Sequence, residues 1–339
     1  MSRIRGHAMA ATQKRGMVDS FAVHMSKRPT VAVCVATYRR PHGLERLLYG
    51  LDALMFTEGR EPDLRLIVVD NDPEGTGARV CEDVGFRIRW PLLVEIEPRR
   101  GIPFARNRAL ALAADAAEFI AFIDDDEEPD PRWLDELLRV QAEFQADVVT
   151  GPVIPRFSEP PPAWLQEGRF FERRRIPTGT RVEYVATGNV LFRAKLPKEA
   201  NIRFNEAMAL TGGSDTYFFL QMARAGASMV FANDAIVYEW VPPSRANAAW
   251  LLRRSFRFGN TLAIIDRELS GTLKAIFLRA AKGIGRIVLG LSSLPLAIIS
   301  GRHAKAAAIK ALQGVWRGAG MLAGLSGFRY EEYRQIHGE

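Results

Sequence analysis

The sequence predicts an α/β fold over residues 30–150, in which helices cover both faces of a largely parallel, doubly wound sheet. Short apolar runs, typical of strands that are buried on both faces, alternate with helical apolar stripes. The 339 residues can bury a large core, and the apolar content of 47% is ordinary for a soluble protein. No Gly-x-Gly-x-x-Gly follows the first run, so the dinucleotide-binding fingerprint is missing.

Strands and helices are predicted in turn along the first half of the chain. Residues 31–37 form a continuous apolar run, and Pro41 then opens a helix, because proline is accepted in the first turn. A second apolar run at 64–70 ends in a turn-forming Asp-Asn-Asp-Pro segment. Further strands are predicted at 92–96, 119–123 and 147–150, and further helices at 76–84, 104–114 and 133–144.

The pattern becomes less regular after residue 150. Five prolines between 152 and 162 disfavour regular structure, so a long loop is predicted over 151–180. Residues 211–215 are predicted to form a turn. The later elements are predicted as a strand at 182–192 interrupted at 187–189, a helix at 216–225, a strand pair at 229–240 and a helix at 250–265.

Four acids directly follow the predicted strand at 119–123. The two-residue period of a strand places Asp124 and Asp126 on one side and Asp125 on the other. So much like charge favours a bound cation, and oxygen ligands suit Mg²⁺ or Mn²⁺, which also bind phosphates. Ligands of open α/β sheets bind at the carboxyl ends of the strands. A solvated acidic turn is the alternative interpretation.

The net charge of +7 is distributed unevenly. Residues 1–29 carry six Lys or Arg and one acid, and residues 271–339 carry ten and three, so the ends sum to +12 and the rest to −5. The basic ends flank an acidic middle, and apolar runs interleave the C-terminal cations. An anionic membrane surface is therefore the expected partner, and nucleic acid is not.

Three regions are predicted: a disordered basic leader at 1–28, a globular domain at 29–268 and a C-terminal helical region at 269–339. The apolar run at 287–300 is shorter than the roughly 20 residues that span a bilayer. With cations on both sides, it is predicted as an in-plane or re-entrant membrane helix, and a helical pair packed on the globular core is the alternative. Residues 305–322 are predicted as an amphipathic surface helix.

The cysteine content indicates the compartment. Cys34 and Cys81 both lie in or beside predicted core elements, and the basic leader has no apolar run, so it is not a signal peptide. Reduced thiols in a cytoplasmic protein are therefore expected. Together with the C-terminal region, this predicts association with the inner face of the cytoplasmic membrane.

Five motifs in the same order resemble those of family 2 glycosyltransferases, which have the GT-A fold. They lie at residues 35–40, 69–72, 101–107, 124–126 and 212–215. Within the family the sequence is most similar to bacterial succinoglycan-type exopolysaccharide enzymes, which carry a similar Ile-Asp-Asp-Asp-Glu run and a similar Tyr-Glu-x-Val-Pro segment. The resemblance covers residues 30–265 and implies a Rossmann-like mixed sheet with helices on both faces.

The resemblance implies a donor site. Thr37, Tyr38 and Arg39 would hold uridine and its ribose, and Asp70 would accept a hydrogen bond from the uracil N3–H. Arg106, in the first turn of a helix, would lie near the phosphates of the donor, where a cation and a helix N-terminus both favour an anion. A turn-forming aspartate and a surface arginine are the alternatives for the last two residues.

The acids acquire roles in the same way. Asp124 and Asp126 would hold the Mn²⁺ or Mg²⁺ that bridges the donor diphosphate and acts as a Lewis acid. Residues 188–189 would approach the donor sugar closely, because glycine permits close contact. A tight strand bend is the alternative interpretation of these two residues. The other substrate-binding residues that the resemblance implies are Asp125, Gly188, Asn189 and Gly213.

Asp215 is the candidate catalytic base. It would remove the proton from an acceptor hydroxyl as that oxygen attacks the anomeric carbon from the opposite face, which inverts the configuration. The alternative is a helix N-cap, although the two roles are compatible. The family usually has Glu-Asp here, whereas this chain has Ser214 before Asp215, a departure that bears on acceptor positioning or on the pKa of the base.

The predicted function is transfer of a hexose from a nucleotide sugar, UDP-glucose being the expected donor, to a saccharide on a polyprenyl lipid carrier. The product would enter exopolysaccharide or another surface polysaccharide. A nucleotidyltransferase is a rival, but its Gly-rich basic loop is missing after the first strand. A membrane-surface binding protein with a decayed site, and RNA binding through the basic ends, are further alternatives.

Overall fold

The computed structural model describes residues 28–172, 175–299 and 301–332. Almost all of the predicted leader at 1–28 lies outside these residues. Strands are β1 Thr30–Thr37, β2 Asp63–Asp70, β3 Leu92–Ile96, β4 Phe119–Phe122, β5 Glu127–Pro129, β6 Val148–Thr150, β7 Val153–Phe157, β8 Val190–Arg193, β9 Met229–Phe231 and β10 Val237–Val241. Helices are α1 Pro41–Asp52, α2 Thr76–Gly85, α3 Ile102–Ala114, α4 Trp133–Phe144, α5 Ala163–Gly168, α6 Lys195–Glu199, α7 Ser214–Arg224, α8 Ala248–Leu269, α9 Leu273–Ile298 and α10 Ala304–Leu325.

Among the described residues the main sheet has seven strands in the order β3-β2-β1-β4-β8-β6-β9. The first four strands in that order are parallel, and β8 runs antiparallel to β4 and β6. The sheet is therefore mixed, as the family resemblance implies. In the register of β1 and β2, Thr37 lies opposite Asp70, so both strands end at the same edge.

Helices cover both faces because each carries an apolar stripe. On one face α1 buries Leu44, Leu47 and Leu51 against the sheet, together with Trp133 of α4. On the other face the alanines of α3 approach the sheet closely, and α7 contributes Phe218. These two layers fix the carboxyl ends of β1, β2 and β4 in place.

The region after residue 150 differs from the prediction in three places. β7 and α5 lie in the segment predicted as a loop, because β7 adds to a small sheet of order β5-β10-β7 in spite of Pro155. Residues 182–186 are not a strand, and Arg181 makes only an isolated bridge to Val230. The predicted strand pair at 229–240 divides, because β9 joins the main sheet and β10 the small one.

The C-terminal region is a set of long helices. α10 packs on both α8 and α9, and glycines permit close approach, since a Cβ on Gly259 would lie 2.0 Å from the Arg317 carbonyl oxygen. α9 packs on α10 through Gly283 and Gly290 and continues through Pro295. This is the helical pair of the alternative prediction. Within the described ranges no helix has the length and apolar character needed to cross a membrane.

Candidate active site

A cavity of about 410 Å³ lies at the carboxyl ends of β1 and β4. The strand side supplies residues 36–38, Arg40 and residues 124–127, and the N-terminus of α7 supplies residues 212–216. α8 closes the opposite side with residues between 250 and 262. The position agrees with the general location of ligands in open α/β sheets.

The three aspartates each meet an arginine. Arg106 Nη2 donates to Asp124 Oδ1 at 2.9 Å, and Arg245 Nη1 donates to Asp126 Oδ2 at 3.0 Å. Arg40 Nη1 lies 2.7 Å from Asp125 Oδ1 and 3.1 Å from Asp126 Oδ2. The prediction that the acids alternate between the two sides of a strand is wrong, because β4 ends at Phe122 and residues 125–126 form a turn.

The three carboxyl groups differ in the direction of their pKa shifts, because their electrostatic surroundings differ. Enclosure by protein raises the pKa of Asp124 and of Asp125, and the neighbouring Asp126 carboxylate adds to both shifts. Burial acts on the Asp126 carboxyl in the same direction, but Arg40 and Arg245 outweigh it and hold the pKa of Asp126 below its ordinary value. The arginines thus keep at least one anion in the centre of the cluster.

Glu127 belongs to this cluster but was not predicted. Its Oε2 accepts a hydrogen bond from the Asp124 backbone N–H at 2.9 Å, and the residue is 4% exposed. Burial, with the charges of Asp124 and Asp126, raises the pKa of Glu127 well above its usual value. The signal was present in the sequence, since Glu127 completes the run of four acids.

Gly188 lines the cavity beside this buried carboxyl group. A Cβ at this position would lie 2.4 Å from Glu127 Oε1, so the glycine is required by the carboxyl group itself. Asn189 faces away from the cavity. Its side chain accepts from Trp133 Nε1 at 2.8 Å and donates to the carbonyls of Pro152 and Ala235 at 3.0 and 2.7 Å. Asn189 thus cross-links four segments of the core.

The N-terminus of α7 carries Gly213, Ser214 and Asp215. Gly213 has φ +85°, and a Cβ there would lie 2.1 Å from Thr261 Cγ2, which explains the glycine on two grounds. Asp215 Oδ1 accepts the Thr216 N–H at 2.7 Å. Ser214 is fully buried, and its Oγ has no hydrogen-bond partner among the described residues.

The end of β1 directs its side chains in different directions. Thr37 Oγ1 donates to Asp125 Oδ2 at 2.9 Å, and the Tyr38 ring lies 5.6 Å from the Arg100 guanidinium. Arg39 has φ +52° and turns away from the cavity to the Asp72 carboxylate at 3.2 Å. The next residue, Arg40, enters the cavity instead.

Asp70 is fully buried beneath the first turn of α2. Its Oδ2 accepts the N–H groups of Gly77 and Ala78 at 2.6 and 2.9 Å, and its Oδ1 accepts that of Asp72 at 2.9 Å. The N–H groups of Gly77 and Ala78 belong to the first turn of α2, where backbone donors have no acceptor within the helix. Asp70 therefore fixes the turn and the start of α2, the alternative that the sequence left open.

The structure brings most of the predicted residues together. Those that line the one cavity are Thr37, Tyr38, Arg106, Asp124, Asp125, Asp126, Gly188, Gly213 and Asp215. Arg39, Asp70 and Asn189 do not line it, for the reasons given above. The lining residues that were not predicted include Arg40, Glu127, Arg245, Arg254 and Arg257.

The acid cluster fits a divalent ion only in part. Within 28–172, 175–299 and 301–332, no group of three or more His, Cys, Asp or Glu side chains could hold a metal by itself. Mg²⁺ is bound through one or two carboxylates together with substrate phosphates and water. Asp124 can supply such a carboxylate, because 39% of its side chain is exposed in the cavity. The residues therefore fit Mg²⁺ or Mn²⁺ when phosphate oxygens complete the coordination.

Comparison with known proteins identifies the family. The model of glycosyl transferase family 2 matches residues 32–199. The succinoglycan biosynthesis protein ExoM of Rhizobium meliloti (strain 1021) is 34% identical over 231 residues, which are 68% of this chain and 73% of that protein. The chain belongs to glycosyl transferase family 2. The predicted resemblance to the family and to its succinoglycan-type members is confirmed.

Solved structures share the fold of this family 2 chain. The mannosyltransferase PcManGT from Pyrobaculum calidifontis, in complex with GDP-Man and Mn²⁺, has a TM-score of 0.58 at 19% identity, over 89% of this chain and 88% of that one. S. aureus TarS 1-349 in complex with UDP-GlcNAc has a TM-score of 0.51 at 18% identity, over 89% and 93%. At these identities the likeness supports the predicted GT-A fold and nothing finer.

Proposed function

We propose that this family 2 glycosyltransferase moves a hexose from a nucleotide sugar, with UDP-glucose as the expected donor, to a lipid-linked saccharide and inverts the anomeric carbon. One observation carries the proposal. The acids at the end of β4 and Asp215 at the start of α7 line the same cavity. A donor phosphate and an acceptor hydroxyl can therefore be held on two sides of one sugar.

The strand side is suited to the donor diphosphate. Arg106 and Arg40 supply cations, and Tyr38 supplies an aromatic face next to Arg100. Mn²⁺ or Mg²⁺ at Asp124 and Asp126 would neutralise charge on the leaving nucleotide as a Lewis acid. PcManGT was solved with GDP-Man and Mn²⁺, which supports a divalent ion and a nucleotide sugar here.

Asp215 is suited to the acceptor. Thr216 holds one of its oxygens through a backbone N–H, which orients the carboxylate on a helix N-terminus. The proton of the acceptor hydroxyl would pass to Asp215 as the new glycosidic bond forms and the bond to the nucleotide phosphate breaks. Ser214 is smaller than the glutamate usual in the family, and this difference bears on how the acceptor is positioned beside the base.

α9 is suited to a membrane surface. Leu273, Phe277 and Leu289 are 85%, 72% and 70% exposed on it. Residues 271–330 contain nine Lys or Arg and no Asp or Glu. An apolar face on a segment with an excess of positive charge favours an anionic lipid surface, in the plane of the membrane rather than across it. Such a position at the inner leaflet would bring the cavity to a lipid-linked acceptor.

The name of the relative ExoM links it to succinoglycan biosynthesis. The similarity over most of both chains supports a corresponding place for this chain in the synthesis of an exopolysaccharide or another surface polysaccharide. The acceptor would then be an oligosaccharide on a polyprenyl carrier.

A donor-hydrolysis screen tests the proposal. Purified protein is offered several nucleotide sugars with Mn²⁺ or Mg²⁺, and nucleotide release is measured. We expect release from a UDP-hexose that EDTA abolishes, and loss of release in Asp124→Ala and Asp215→Asn with unchanged thermal unfolding. Equal release by wild type and both variants would remove the two aspartates from the mechanism, and no release with any donor would favour a binding protein, so either result contradicts the proposal.

A further inference from the structure

The α8 side of the cavity carries charge that the donor site does not use. Arg254 and Arg257, one turn apart on α8, both line the cavity, as do Trp250 and Phe258. Arg253, between them and Trp250 in sequence, is exposed and does not line it. α8 therefore presents two arginines and two aromatic rings to the same space.

Aromatic rings fix the position of Arg254. Its guanidinium carbon lies 5.0 Å from the centre of the Trp250 ring, 5.5 Å from that of Phe258 and 5.8 Å from that of Phe171. Trp250 in turn stacks on Phe171 at 5.5 Å with an interplanar angle of 11°. Ring contacts hold the guanidinium in a defined orientation, and a guanidinium held in this way is a good donor to anionic oxygens.

Trp250 adds a hydrogen-bond donor to this wall. The residue is 6% exposed, and its indole N–H is buried without a partner among the described residues. A buried donor of this kind normally has an acceptor. An oxygen atom of a bound ligand would supply it.

Arg257 already faces a carboxylate. Glu332 Oε1 lies 3.8 Å from Arg257 Nη1, and its side chain is 9% exposed and lines the cavity. The segment that carries it is tied to α8, because Asn260 Nδ2 donates to the Phe328 carbonyl at 2.8 Å and Asn260 Oδ1 accepts from the Tyr330 N–H at 3.0 Å. The C-terminal segment thus places an anionic group against the α8 arginines.

We propose that Arg254 and Arg257 form the binding subsite for the diphosphate of a prenyl-linked acceptor, and that Glu332 occupies this subsite when the acceptor is absent. The inference rests on the proposed function. Two guanidinium groups and the Trp250 N–H match an anion with many oxygens better than a single carboxylate. Donor phosphates meet different residues, since Arg106 and Asp124 lie on the strand side.

The surroundings of Phe258 indicate the direction of the lipid chain. Phe258 is 43% exposed at the edge of the cavity, and the Arg317 guanidinium of α10 lies 5.9 Å from its ring centre. α9 packs on α10. A prenyl chain attached to a diphosphate at Arg254 would leave the cavity past Phe258 toward this helical pair.

Calorimetry with farnesyl diphosphate tests the subsite. The full chain is first saturated with UDP and Mn²⁺, so that the donor site is filled, and farnesyl diphosphate is then titrated. We expect binding that Arg254→Gln and Arg257→Gln each weaken by about 10- to 100-fold, since a charged hydrogen bond is lost. Arg253→Gln is the matched control and should bind like wild type. Glu332→Gln should bind more tightly than wild type, because the competing carboxylate is gone.

Several outcomes would overturn the proposal. If farnesyl diphosphate displaces UDP, it binds at the donor site. If Arg253→Gln and Arg257→Gln bind farnesyl diphosphate equally well, Arg257 does not form a subsite for it. Inorganic pyrophosphate that binds as tightly as farnesyl diphosphate assigns the subsite to a free anion, and binding of glucuronate alone assigns it to an acidic sugar. Unchanged affinity in Glu332→Gln excludes the role of that residue. Arg257→Lys, which keeps the charge, separates a folding defect from lost binding.

UDP titration of wild type in the same experiment separates the two proposals. If wild type does not bind UDP, the proposed function fails irrespective of the α8 subsite. If UDP binds and farnesyl diphosphate does not, only the subsite fails.

Discussion

The strand side of the cavity and the helix side of the molecule, formed by α9 and α10, use charge in different ways. On the strand side each aspartate of the cluster meets an arginine within 3.2 Å, and the partners come from distant parts of the chain. On the helix side, residues 271–330 contain no Asp or Glu, and Arg279 and Arg329 pair with Asp266 and Glu268 of α8 at 2.6 and 2.7 Å. The acids of the strand side are neutralised by internal partners, whereas the helix side keeps an excess of positive charge.

This difference indicates what each side must bind. Paired charges at the end of a sheet are held in fixed positions before a ligand arrives, which favours a reaction that depends on geometry. An excess of cations beside an apolar surface favours an external anion. The contrast agrees with the proposed roles, in which the strand side carries the chemistry and the helix side contacts the membrane.

Asp215→Asn should have the largest effect on the transfer rate. Loss of a general base lowers the transfer rate by about 10²- to 10⁴-fold, whereas UDP affinity should change little, because the proposed role of Asp215 is toward the acceptor hydroxyl and not toward the nucleotide. Initial rates and UDP calorimetry check both expectations. Asp115→Asn, an exposed aspartate paired with Lys198, serves as control, and equal activity of the two variants would remove Asp215 from the mechanism.

Asn189→Ala tests whether the strand side is a rigid scaffold. The asparagine makes three buried hydrogen bonds, and its removal leaves their partners unpaired, so we expect a loss of about 3 kcal/mol in the free energy of unfolding. Urea unfolding measures the change. A variant of wild-type stability that binds the donor poorly would restore the substrate-binding role predicted from the sequence.

Gly188→Ala should also destabilise the strand side, but with a smaller loss in the free energy of unfolding than Asn189→Ala. A Cβ would lie 2.4 Å from Glu127 Oε1, and the buried carboxyl has little room to move, so we expect a loss of about 1–3 kcal/mol. Gly285→Ala in α9 is the contrasting variant, because nothing lies within 4 Å of a Cβ there. It should gain about 0.5–1 kcal/mol from helix propensity. If Gly188→Ala and Gly285→Ala unfold at similar temperatures, the Glu127 carboxyl does not prevent a Cβ at position 188.

Phe277→Ser combined with Leu289→Ser tests the helix side. If each side chain loses about 1 kcal/mol of burial in lipid, partition into vesicles of phosphatidylglycerol and phosphatidylcholine falls about 30-fold. Phe86→Ser, which removes an aromatic that is 76% exposed beside α2, should have no effect. Co-sedimentation with vesicles measures all three proteins, and equal sedimentation would exclude α9 as the contact.

Local patterns in the sequence predicted the strand side well and the helix side poorly. Apolar runs that end in Thr37 and in the aspartate cluster are visible in a short window, because buried parallel strands are continuous in sequence. Arg245 was not predicted, because it reaches Asp126 from 119 positions away through the small sheet, and only tertiary structure brings them together.

Asp70 and Arg39 illustrate a second limit. Motif position indicates that a residue lies near a site but not where its side chain points. Arg39 adopts φ +52° and turns outward, so that Arg40 takes the inward position. Asp70 is used by the backbone of α2. Both outcomes depend on the tight turns that follow β1 and β2, whose geometry a short sequence window does not determine.

The stereochemistry of donor hydrolysis tests the central claim most directly. With water in place of the acceptor, Asp215 would direct attack on the face opposite the nucleotide of UDP-α-glucose. Proton NMR recorded before mutarotation reads the first product. The account predicts β-glucose, with its formation lost in Asp215→Asn, and α-glucose as the first product would contradict a single displacement in this cavity.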